Sequence, residues 1–107
     1  MNMPYIYIAD LVEQVGEFPE DSILSRTIYD DDHLKVILFG FAVGQELSEH
    51  TASMPAVIHI LQGEARLTVG DDVKEAAPGT WVHMEANLPH SILAKTPTTM
   101  LLLMMKV

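Results

Sequence analysis

The spacing of apolar residues changes near residue 22. Before that point residues 5–8 alternate weakly, as a short edge strand would. Asp10-Leu-Val-Glu13 then has the form of a helix start, with Asp10 as cap and Glu13 reaching back. Leu11, Val12 and Val15 give this helical segment one short apolar face, and residues 16–21 break it. From Ile23 onward the period is that of strands. Residues 23–29 and 34–43 flank Asp30-Asp31-Asp32, which reads as a hairpin turn, and Gly40 reads as a bulge in the longer run. Further strands are expected over 55–61, 65–69, 73–76, 80–84, 91–95 and 99–106, with Gly70-Asp71-Asp72 as one of the turns. Glycine and proline fall at the joints. Eight or so short strands at close spacing predict an all-β sandwich or barrel of jelly-roll type. No repeat or low-complexity tract divides the chain. It reads as one domain over 1–107, with an N-terminal arm and short helix at 1–21 and the β-barrel at 22–107.

Composition narrows the function classes. A chain of 107 residues holds one modest core. Its formal charge of -9, with Lys35, Lys74, Lys95 and Lys106 scattered, argues against nucleic acid and against anionic membranes. The absence of cysteine removes disulfides, thiol nucleophiles and thiolate metal sites together, and it suits the cytoplasm. The N-terminus has neither a basic region nor a long apolar stretch, so no secretory signal is expected. The apolar run 100–105 is too short to cross a bilayer and reads as a strand buried on both faces.

The chemistry concentrates on two histidines. His50 ends Gly44-Gln-Glu-Leu-Ser-Glu-His50, and His90 ends Pro78-Gly79-Thr80-Trp81-Val82-His83-Met84-Glu85-Ala86-Asn87-Leu88-Pro89-His90. Each imidazole follows a glycine-bounded turn in a strand-rich chain, so the two can converge on one ion or one small ligand. No glycine-rich phosphate loop, nucleophile elbow or zincin spacing accompanies them.

In these residues the chain resembles the small single-domain bacterial cupins. The first cupin motif reads G-x5-H-x-H-x3,4-E-x6-G, and Gly44, His50 and Gly63 fit it. The second reads G-x5-P-x-G-x2-H-x3-N; Gly79 and His90 fit it, with Glu85 at the proline and Asn87 at the glycine. The matched stretch runs from Gly44 to Ala94. The resemblance implies a cupin jelly roll, a homodimer and a pocket for a divalent metal (Fe, Mn, Ni or Zn) or a small organic molecule, with oxygenase or isomerase chemistry typical of metal-binding relatives. Three positions depart from the pattern. Ala52 stands at the second histidine, Ala56 at the glutamate and Ala94 at the final asparagine. Of the four usual ligands only His50 and His90 remain.

His59 and His83 are the candidates to complete a metal site. Alternation from an inward His50 places 52, 54, 56 and 58 on its side and His59 on the other, unless a bulge near Ser53-Met54-Pro55 shifts the register. His83 is expected outside the cavity or at a subunit interface. Glu46 and Glu49 read as solvated loop carboxylates, Glu85 as an exposed turn residue and His33 as solvent-facing. The expected metal set is therefore His50, His90 and His59. Three functions stay open: a metal-dependent enzyme, a metal-free binder of a small molecule, and a structural or regulatory dimer.

Overall fold

Strands β1 (Ile23–Asp30) and β2 (Leu34–Phe41) form the hairpin that the acidic run closes. Asp31 does the closing. One of its carboxylate oxygens accepts the backbone N–H groups of His33 at 2.7 Å and Leu34 at 2.8 Å, and the other accepts the Tyr29 hydroxyl. These donors, the tyrosine hydroxyl foremost, hold the Asp31 carboxyl down to about 2.

The computed structural model describes residues 4–17 and 19–106. Seven more strands follow the hairpin: β3 (Glu46–His50), β4 (Ala56–Gln62), β5 (Ala65–Val69), β6 (Asp72–Ala76), β7 (Trp81–Met84), β8 (His90–Ala94) and β9 (Thr98–Met105). They make two antiparallel sheets, one in the order β1-β2-β9-β4-β7 and one in the order β3-β8-β5-β6. This is the expected jelly roll. Strict alternation fills the space between the sheets. Ala56, Ile58 and Ile60 of β4, Ala65 and Leu67 of β5, Ile92 and Ala94 of β8, Met84 of β7 and Met100 of β9 form the buried inner core.

The five-stranded sheet is apolar on its outer face as well. Val36, Leu38 and Leu101 are buried there beneath Leu11 and Val15 of the N-terminal segment. Arg26 ties that segment down by donating to the Gln14 carbonyl at 3.0 Å. Strand β9 thus carries apolar side chains on both faces, which explains its unbroken run of leucine and methionine.

Four expectations need correction. The helical segment is a single 3-10 turn, Val12–Gln14, although Asp10 caps it as expected through the Val12 N–H at 3.0 Å. Residues 5–8 form no strand. Of the 1–21 arm, residues 1–3 and Phe18 lie outside the described residues. Gly40 is not a bulge; it pairs regularly with Leu24 and Thr99, and the irregularity falls in β1 between Thr27 and Tyr29. Strand β3, mostly polar and exposed, is additional to the expected set.

Gly63 closes the β4–β5 turn at φ +87, and a Cβ there would fall 2.1 Å from the Pro97 carbonyl oxygen. Gly79 also has positive φ, but a Cβ there would meet no atom within 4 Å. Gly63→Ala is therefore expected to cost about 3 kcal/mol or more, and Gly79→Ala only about 1 kcal/mol. In thermal melts the first should fall by roughly 10 °C or more and the second by much less. Equal, small shifts for both would contradict this packing.

Candidate functional site

His50 and His90 are register partners at the same end of β3 and β8. The pairing depends on one extra residue. Glu46 pairs with Leu93 and Leu47 with Ile92, after which the register slips so that His50, rather than Glu49, stands opposite His90. Leu47 packs on the inner core and Ile92 belongs to it, so the slip keeps His50 on the inward face. His90 shares that face with Ile92 and Ala94. It is buried, whereas His50, on the edge strand, is exposed.

The two rings lie 4.2 Å apart between centroids, inclined at 60°. Each is anchored in the same way. The Nδ1 of His50 bonds the Ser48 carbonyl at 2.8 Å, and the Nδ1 of His90 bonds the Leu88 carbonyl at 2.8 Å. A carbonyl only accepts, so both Nδ1 atoms carry a proton and both Nε2 lone pairs are left for a ligand. The loops that follow β3 and precede β8 are joined by a 2.7 Å bond from the Asn87 N–H to the Ala52 carbonyl. Asn87 takes φ +68, a conformation asparagine tolerates and most side chains resist. This is the position where the cupin motif has glycine.

His59 does not join the pair. Ala56, Ile58 and Ile60 face inward, so His59 lies on the outer face of β4, between Trp81 and Leu101. No bulge at residues 53–55 reverses it; the only slip in β4 pairing comes after Ile60. His83 is exposed on the same outer face, opposite Val57, and His33 is exposed in the β1–β2 turn. Glu46, Glu49 and Glu85 are exposed. Ala52 is half-buried, while Ala56 is buried in the inner row between Met84 and Met104.

Beside His90 opens a cavity of about 610 Å³ between the β6 and β7 edges. Val69, the register partner of His90, and Leu88, whose carbonyl anchors the ring, are in its wall with Val82 and Lys74. The sequence does not signal this opening, because Val69, Val82 and Leu88 look like ordinary core residues until the sheets are stacked.

The cupin domain model matches residues 37–106. The chain belongs to the cupin family. A conserved protein of unknown function from Streptococcus pyogenes is 30% identical over 100% of this chain and 93% of its own, with a TM-score of 0.83. A cupin superfamily protein from Desulfitobacterium hafniense is 27% identical over 100% of this chain and 97% of its own, at 0.85. The DMSP lyase DddQ from Ruegeria pomeroyi, 20% identical over 79% of this chain and 47% of its own at 0.73, shares the fold. No curated protein matches the sequence.

A resident divalent metal is the obvious test for a cupin, and the donor set does not satisfy it. Catalytic sites of this kind need about three protein ligands. This pair offers two imidazoles, with alanine where the family has its other histidine and its glutamate. Among the described residues no group of three or more histidine, aspartate or glutamate side chains is placed to hold an ion.

The anchoring makes a spectroscopic prediction. Long-range ¹⁵N–¹H spectra at alkaline pH should show the Nδ1–H tautomer for both His50 and His90. Dominant Nε2–H signals for both would contradict the carbonyl anchors.

Proposed function

We propose that this cupin is a small-molecule-binding barrel in which His50 and His90 are the polar recognition pair and no metal is resident. One observation carries the reading: two inward imidazoles, each fixed by its Nδ1, present free Nε2 atoms in a site that lacks further metal donors among the described residues. The cavity beside His90, whose wall includes the Leu88 that anchors that ring, has the size of a small-ligand pocket. The cysteine-free composition supports a cytoplasmic setting.

The second reading is a metal-dependent oxygenase or isomerase with Fe, Mn, Ni or Zn on His50 and His90. The Nδ1–carbonyl anchors favour it, since metal-bound imidazoles are oriented in the same manner. Donor number opposes it. Elemental analysis of tag-free protein, before and after incubation with each of the four ions, separates the two. We expect well below one metal per chain. About one metal per chain, lost in both His50→Ala and His90→Ala, would overturn the metal-free reading.

We also infer a homodimer. Trp81 is 60% exposed beside His59 and His83 on the outer face of the five-stranded sheet, and Tyr5, Ile6 and Tyr7 stand exposed in the N-terminal segment. Exposed aromatic surface of this kind is typical of an interface. Light scattering should give a dimer mass for the parent chain and a lower mass for Trp81→Asp. A monomeric parent chain would refute the inference.

A further inference from the structure

Strand register places a lysine on the inward face at the imidazole end of the barrel. Lys35 of β2 pairs with Met104 of β9, and Met104 in turn pairs with Ala56 of β4. Met104 packs on the inner core and Ala56 belongs to it, so Lys35 shares their inward face. The row Lys35–Met104–Ala56–Met84 crosses the five-stranded sheet at its loop end. That is the end from which the short connections 51–55 and 85–89 run to His50 and His90. The lysine row on one sheet and the imidazole pair on the other therefore belong to the same end of the barrel.

Lys35 is half-buried and makes no ion pair with any described residue. The natural partner would be Asp30, its cross-strand neighbour, but Asp30 is taken by Lys106, which also donates to the Asp31 carbonyl. Asp31 is occupied by Tyr29 and two backbone N–H groups. An inward-facing lysine with no ion-pair partner among the described residues is available to pair with a bound anion.

Resting on the pocket reading above, we infer that this site takes a small organic monocarboxylate, with Lys35 as the residue that selects for its charge. The Met104 and Met84 side chains form an adaptable apolar wall for the body of the ligand. The Nε2 atoms of His50 and His90 accept a hydroxyl or N–H from it. Alanine at 52 and 56 is consistent with this choice, because neither position adds a carboxylate that would repel the ligand.

The test uses the intact chain and two probe pairs that keep a hydroxyl and differ in charge: lactate with lactamide, and mandelate with mandelamide. Binding is followed by shifts of the His50 and His90 imidazole resonances during titration. Each acid should bind about tenfold more tightly than its amide, the difference between a charge-assisted and a neutral hydrogen bond. Lys35→Gln should erase that preference, Lys35→Arg should retain it, and Lys95→Gln, beyond the far end of β8, should leave it unchanged. Equal binding of acids and amides would overturn the anion inference while the pocket reading stands. So would an acid preference that survives in Lys35→Gln. Imidazole resonances that respond to none of the four probes would overturn both.

Discussion

One extra residue in β3 decides what faces the barrel interior beside His90. With plain alternation, Leu47 on the inner face would be followed there by Glu49, and a carboxylate would stand against His90. The slip between Leu47 and His50 exchanges that carboxylate for a second imidazole. A histidine–glutamate pair would be an acid–base unit with its partner already in place. A histidine–histidine pair has no internal partner, and each ring turns to a backbone carbonyl instead. The open Nε2 atoms are thus a consequence of backbone register. The Asn87–Ala52 bond joins the two loops behind the pair, and the left-handed Asn87 gives the turn before β8 the shape this requires.

The same alternation sorts the remaining histidines. Strand β4 sends Ala56, Ile58 and Ile60 inward and His59 outward, and β7 places His83 beside it with Trp81. The outer face is covered over β2 and β9 by Leu11 and Val15, but Trp81 remains exposed at the β7 edge. The barrel therefore has two histidine-bearing surfaces of different character. The inner one is anchored, paired and next to a cavity. The outer one lies on an apolar sheet face, where packing against another surface is the natural role.

Much of the fold was legible because the buried strands alternate or run apolar without interruption. Their ends fall within about two residues of those expected from periodicity alone. Strand β3 was not legible, since Glu46-Leu-Ser-Glu-His50 has one apolar residue and an exposed edge to pair from. The bulges were misplaced for a related reason. Gly40 looked like one, but it is a buried glycine in regular pairing; the slip in β3 occurs at Ser48-Glu49, which carries no glycine to signal it. The His50–His90 pair was readable from motif spacing. His59 faces outward by alternation within β4, whereas the expected count from His50 ran across residues 51–55, which connect two different sheets. Lys35 could not be assigned a face beforehand, because the chain on either side of it is apolar: Leu34 and Val36 are as suitable for a core as Ile37 is.

The departures from the cupin pattern gain meaning when charge is followed together with ligand count. Replacing a histidine and a glutamate by Ala52 and Ala56 removes two metal donors, and it also removes the negative charge that would balance a bound cation. What register places on the inward face at that end is a pair of imidazoles, Met84 and Met104, and Lys35, which has no ion pair among the described residues. An ammonium on the inward face repels a cation and attracts an anion, and both effects grow as solvent is excluded. The overall charge of -9 does not alter that balance, because most carboxylates are on the solvated surface, where salt screens them. The fold supplies the barrel, the register supplies the two imidazoles, and the inward Lys35 bears on the sign of what we propose the barrel holds.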